Sequence, residues 1–263
     1  MKMGLRIENL STGYPKRQII KELSVSMLPQ GQITVLLGPN GSGKSTLLRA
    51  LAGLNPATGK LWLGPDELVS LPFSRRAELV VYLPQTLPAG VHLNVLESII
   101  VAQRASGKND NVTTESEIMD LLEQLGIGHL ALSYLDELSG GQKQMVGLAQ
   151  SLVRQPSLLL LDEPLSALDL NYQFHVMDLI KKETTKRNIV TVVVVHDINI
   201  ALRHGDYVLM LENGVLVADG PPEYVITPEH LAAVYGVSAR IEHCSRGMRQ
   251  VFIDGLIKNL QQI

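Results

Sequence analysis

One stretch constrains this chain more than any other: Gly38-Pro39-Asn40-Gly41-Ser42-Gly43-Lys44-Ser45-Thr46. It fits the pattern G-x-x-x-x-G-K-[ST] and lies between a β-branched, Leu-rich run at residues 33–37 and a helical run at residues 46–51. The glycines let the backbone wrap so that successive amide N–H groups point inward, and the helix start adds partial positive charge. Lys44 would bring an ammonium to the β- and γ-phosphates of a nucleotide, and the Ser45 hydroxyl could sit on Mg²⁺. Nothing in an ordinary glycine-rich turn calls for Lys-Ser at that offset.

The rest of the chain alternates short apolar runs with stretches of helical period, the pattern of a parallel sheet flanked by helices. The expected fold class is therefore α/β, a P-loop NTPase core with a mostly parallel sheet. Strands are predicted at residues 5–9, 33–37, 80–83, 158–161, 190–195 and 207–211, all apolar enough to be buried on both faces. Asn213-Gly214 suits a tight hairpin turn and predicts an antiparallel edge there. Between residues 86 and 156 the pattern is purely helical and reads as an inserted α-helical lobe. Inside it Thr114 and Glu117 form a capping box ahead of a helix that Gly126 stops. Thr227-Pro228 opens another short helix closed by Gly236.

Leu158-Leu159-Leu160-Leu161-Asp162-Glu163 supplies the other half of the site, an apolar strand ending in two carboxylates. Acids there lie where open α/β sheets bind ligands. Asp162 would hold Mg²⁺ and Glu163 would orient and polarise an attacking water. His196 follows another core strand at the same edge, where a γ-phosphate contact and a structural role are both open.

Bulk properties exclude other classes. With 263 residues and 45% hydrophobic content, the chain can bury a sizeable core. Its 23 Lys and Arg against 26 Asp and Glu give a net charge of −3, a poor match to the clustered basic surface nucleic acid requires, so no nucleic-acid partner is expected. Cys244 alone makes no intramolecular disulfide, which fits a reducing cytoplasm. Neither a signal-peptide core nor an apolar run long enough to cross a bilayer is evident, so any membrane role needs a partner.

Leu138-Ser139-Gly140-Gly141-Gln142 narrows the class: it is identical to the LSGGQ signature of ABC ATPases, and the chain resembles that family almost end to end. Ser139 with Gln142 is also a capping box, and a capped, glycine-bearing helix start is itself a good anion site. The resemblance implies an ABC ATPase fold and ATP hydrolysis. Residue by residue, Tyr14 matches the aromatic that stacks on adenine, and Gln85 the Q-loop glutamine that senses Mg²⁺ and the attacking water. Asp169, in Ser166-Ala167-Leu168-Asp169, matches the D-loop, and His196 the switch histidine. Chemistry alone would leave Tyr14 as a packing residue and Gln85 and Asp169 as loop or cap residues. Met145 and Gln150 depart from the pattern, standing where many relatives carry arginine.

The resemblance further implies a homodimer in which Ser139 and Gly141 of one copy close over the nucleotide held by Lys44 of the other. The tail and the Tyr82-Leu83-Pro84-Gln85 context look like ATPases of bacterial iron-siderophore, haem and cobalamin importers. That implies a peripheral subunit on the cytoplasmic face of the inner membrane, bound to a polytopic permease through residues 86–94, Leu87, Val91 and Leu93 among them. A substrate-binding protein would be an indirect partner. Residues 1–236 are expected to form the ATPase domain and 237–263 a small extension. A non-transport ABC ATPase acting on nucleic acid or ribosomes is the alternative, disfavoured by the absence of a second nucleotide domain or long coiled coil.

Overall fold

The computed structural model describes residues 4–85, 92–105 and 113–257. Strands β1 (Gly4–Tyr14) and β2 (Arg17–Pro29) form a hairpin, followed by β3 (Ile33–Leu37) and the helix α1 (Lys44–Leu51). Next come β4 (Ala57–Leu63), β5 (Asp66–Glu67), α2 (Phe73–Leu79) and β6 (Val80–Leu83). Helices α3 (Val95–Arg104), α4 (Glu115–Gln124) and α5 (Gly140–Val153) precede β7 (Leu158–Leu161), α6 (Leu170–Arg187) and β8 (Val190–Val194). The chain continues through α7 (Ile198–His204), β9 (Tyr207–Glu212), β10 (Val215–Gly220), α8 (Pro222–Val225), α9 (Pro228–Tyr235), β11 (Val237–His243) and β12 (Arg249–Leu256).

The central sheet runs β10-β9-β3-β8-β7-β6, parallel throughout except for the β9–β10 edge. At that edge Asn213 and Gly214 take φ of 49° and 79°, the two left-handed residues a tight hairpin needs. Every residue of β3, β7 and β8 is buried, because both faces of the sheet are covered. Leu159 and Leu161 pack toward α3, α5 and α6, while Leu158 and Leu160 pack toward α1 and the antiparallel strands. Each of these leucines contributes roughly 1.5–3 kcal/mol by leaving water.

Residues 5–9 differ from expectation. They lie in β1, which belongs not to the central sheet but to a separate antiparallel one ordered β2-β1-β4-β5. In β1 only Leu5, Ile7, Leu10 and their neighbours on one face are buried, while Arg6 and Asn9 are exposed. Such alternation marks a one-faced antiparallel sheet, here covering α1. Strands β2 and β4 give no clear apolar signal in the sequence because their polar outward positions, Lys21-Glu22 and Gly59-Lys60, interrupt it.

Local chemistry fixes the helix ends. Thr114 and Glu117 form the reciprocal capping box at 3.3 and 2.7 Å, and Gly126, at φ 71°, follows α4. Arg76, buried, donates to the carbonyls of Ala50 (2.6 Å) and Leu51 (2.8 Å), so α2 closes the C-terminal end of α1. The β11–β12 hairpin is fastened to α7 by Asn199, which accepts from the Val251 N–H at 2.8 Å and donates to its carbonyl at 3.3 Å. No helix among the described residues is long and apolar enough to cross a membrane.

Candidate nucleotide site

The site grows from the C-terminal edge of the central sheet. Directly after β3, Gly38 has φ 148°, and a Cβ there would lie 2.2 Å from the Leu211 carbonyl oxygen, so only glycine fits. The loop turns through Gly41 and Gly43 into α1, which starts at Lys44. The Lys44 ammonium is buried and donates to the carbonyls of Gly38 (2.7 Å) and Pro39 (3.0 Å). Burial lowers its pKa, against the pull of the Glu163 and Asp162 carboxylates.

The end of β7 carries the acids. Asp162, only 3% exposed, accepts a hydrogen bond from Ser45 Oγ on Oδ1 (3.1 Å) and from the Tyr82 hydroxyl on Oδ2 (2.9 Å). Burial raises its pKa, and those two hydrogen bonds and Lys44 oppose the shift. A buried carboxylate beside a serine hydroxyl is a hard-oxygen donor set that suits Mg²⁺. Glu163 has φ 52°, a left-handed conformation that is costly for a residue with a Cβ. Its Oε1 lies 2.8 Å from His196 Nε2, and its Oε2 accepts from Gln85 Nε2 at 2.6 Å.

Tyr14, Asn40, Gly41, Gly43, Lys44, Ser45, Thr46 and Glu163 therefore line one cleft of about 320 Å³, completed by Arg17 and Ile19. Tyr14 stands half-exposed at its mouth, free to stack on a base. Sequence reasoning missed Arg17, Ile19 and Tyr82; the first two follow from recognising the β1–β2 hairpin, and the last from the register that sets Tyr82 beside Leu160.

Ser139, Gly140, Gly141, Gln142 and Asp169 do not line this cleft. They border a separate groove of about 510 Å³ with Ile127, Leu130 and Tyr172. Ser139 accepts from the Gln142 N–H at 3.3 Å while Gln142 Oε1 accepts from the Ser139 N–H at 2.8 Å. Asp169 caps α6, accepting from the Tyr172 N–H at 3.0 Å. Met145 is buried in the apolar core and Gln150 donates to Ser98 Oγ at 3.0 Å, so neither position uses an ion pair. Of the expected permease contacts, Leu87 and Val91 lie outside the described residues.

The family model described as ABC transporter matches residues 20–166. An uncharacterised ABC transporter ATP-binding protein of Methanocaldococcus jannaschii is 37% identical over 92% of this chain and 94% of its own length. The chain belongs to the ABC transporter family. It is an ABC ATPase, and its relatives include the hemin import ATP-binding protein of Bordetella pertussis, 35% identical over 91% of this chain and 94% of that protein. The ferric enterobactin transport ATP-binding protein of Escherichia coli is 32% identical over 90% and 89%. Among solved structures, one described as a metal-chelate type ABC transporter in an inward-facing conformation matches with a TM-score of 0.78 and 25% identity, covering 96% of this chain and 98% of that one. As an ABC ATPase the chain binds ATP and hydrolyses it to drive transport.

Proposed function

We propose that this chain energises a bacterial importer of chelated iron, a ferric siderophore foremost, with haem, cobalamin or a metal oxyanion as the further cargoes. It would act as a homodimer bound to a polytopic permease on the cytoplasmic face of the inner membrane, with a substrate-binding protein as indirect partner. The hemin and ferric enterobactin relatives, similar over nearly their whole lengths, support the cargo class. In this reading residues 1–236 are the ATPase domain, 86–156 its helical lobe, and 237–263 an extension.

The observation that carries the chemistry is the Glu163 carboxylate held between Gln85 and His196 at the edge of the phosphate cradle. With ATP bound, Tyr14 stacks on adenine, and the amides of residues 38–46 with Lys44 hold the β- and γ-phosphates. Ser45 and Asp162, with Gln85, would hold Mg²⁺, which when bound neutralises charge on those phosphates. Glu163 takes a proton from water as its oxygen bonds to the γ-phosphorus and the bond to the β-phosphate oxygen breaks, giving ADP and phosphate. His196 orients Glu163 and contacts the γ-phosphate. Ser139, Gly140, Gly141, Gln142 and Asp169 of a second copy close the site, which explains why they border a different groove within one chain.

The test is to isolate the tagged chain from its native membrane and to measure uptake of radiolabelled ferric siderophore in cells lacking it. Co-purification of a polytopic permease and loss of uptake, restored by the wild-type gene but not by Glu163→Gln, is the expected result. Recovery of ribosomes or DNA-repair proteins instead, with uptake intact, overturns the importer assignment.

A further inference from the structure

Strand β6 and the residues just after it present a donor to each acid that follows β7: the Tyr82 hydroxyl to Asp162 at 2.9 Å, and, three residues on, the Gln85 amide to Glu163 at 2.6 Å. The second contact belongs to the site described above. The first has no role assigned, and its geometry is specific. In the parallel register Tyr82 pairs with Leu160 and Leu83 with Leu161, while the Asp162 N–H donates to the Leu83 carbonyl at 2.9 Å. Tyr82 thus faces the α1 side of the sheet, where its ring packs against the cluster containing Leu47, Leu48 and Leu51. Its hydroxyl reaches across to Asp162 Oδ2, leaving Oδ1 turned toward Ser45 Oγ at 3.1 Å. Arg49, one turn after Ser45 on α1, donates to Asn55 Oδ1 at 3.3 Å.

We infer that Tyr82 is a positioning residue for the divalent cation: by occupying Oδ2 of Asp162 it fixes the carboxylate plane so that Oδ1 is presented beside Ser45. This rests on Asp162 and Ser45 being the cation's protein ligands. A carboxylate free to rotate offers either oxygen, whereas one tied by a hydrogen bond offers a single oxygen in one direction. Outer partners of this kind tune metal affinity as ligands do. A phenol hydroxyl is a donor at neutral pH. Phenylalanine at this position would retain the ring packing and remove only the donor.

The experiment is equilibrium binding of a fluorescent ATP analogue to the full chain in EDTA and across a Mg²⁺ titration, for wild type, Tyr82→Phe and Asp162→Asn. Tyr82→Phe is expected to bind the analogue in EDTA as the wild type does, and to need about tenfold more Mg²⁺ for the half-maximal Mg²⁺-dependent change. Its ATPase rate is expected to return toward wild type at saturating Mg²⁺. An unchanged Mg²⁺ midpoint overturns the inference, as does an equal loss of affinity in EDTA and in Mg²⁺, which marks a structural role. If Asp162→Asn itself leaves the Mg²⁺ response intact, the assignment of Asp162 as ligand fails, and the inference falls with it.

Discussion

His196 Nε2 and Glu163 Oε1 lie 2.8 Å apart although they follow different strands, β8 and β7. Those strands are parallel neighbours in register, Leu161 beside Val193, so both side chains emerge at the C-terminal edge where the phosphate cradle also lies. The left-handed turn at Glu163 brings its carboxylate within reach of both His196 and Gln85.

Glu163→Gln preserves the shape and hydrogen-bonding reach of the side chain and removes the base. The expected outcome is a fall in kcat of about 100-fold or more with nucleotide affinity retained, read from phosphate release and from binding of a fluorescent ATP analogue. Hydrolysis near the wild-type rate would assign proton abstraction to another group.

Ser139 serves both as the cap of α5 and, in the proposed dimer, as a phosphate contact, and two substitutions separate the roles. Ser139→Ala removes the cap and is expected to cost about 1 kcal/mol of stability by chemical denaturation. Ser139→Asp can still accept from the Gln142 N–H, so stability is retained, but its charge repels a γ-phosphate. Loss of ATPase activity in this stable variant is the expected result; full activity would place the signature helix away from ATP.

Asp162 illustrates the stability a site gives up for its chemistry. Burial disfavours its ionised form, so Asp162→Asn, whose carbonyl still accepts from Tyr82 while its amide N–H donates to the Ser45 hydroxyl oxygen, is expected to raise the melting temperature of nucleotide-free protein by about 2–4 °C. Calorimetry without nucleotide checks this, and a drop of similar size would contradict it.

Much of this was legible in the sequence because the informative residues are local. The loop at residues 38–46, the Leu158–Leu161 strand with its acids and the Ser139–Gln142 box each declare themselves within a few positions. What stayed hidden depends on pairing. The sheet containing β1, β2 and β4 has one wet face, so the polar half of β2 and β4 masks those two strands, and Arg17 and Ile19 with them. Likewise β11 and β12 carry mostly exposed residues, so little periodic burial announces them. Tyr82 reaches Asp162 only through the β6–β7 register, which no neighbouring residue encodes.

His204 couples stability to pH. It is buried between Phe174 and Asp178, with Nδ1 3.5 Å from the Asp178 carboxylate. Burial lowers its pKa from 6.5, Asp178 opposes this, and the charges of Arg203 and Lys181 add to it. Because the folded pKa lies below the unfolded one, protons favour the unfolded chain in the window just under 6.5. Stability from this group is complete above that value and lost as pH falls through the lowered one. His204→Phe is expected to flatten the decline of melting temperature as pH falls below 6.5; an unchanged slope would assign that decline to other groups.

The most direct test of the composite ATP site is the mass of the Glu163→Gln variant by light scattering with and without ATP and Mg²⁺. A composite site requires a species of 28.8 kDa without nucleotide and twice that mass with it, and no ATP-dependent dimer once Ser139→Asp is added. A variant that binds ATP yet remains at 28.8 kDa, or a dimer indifferent to Ser139, would contradict it.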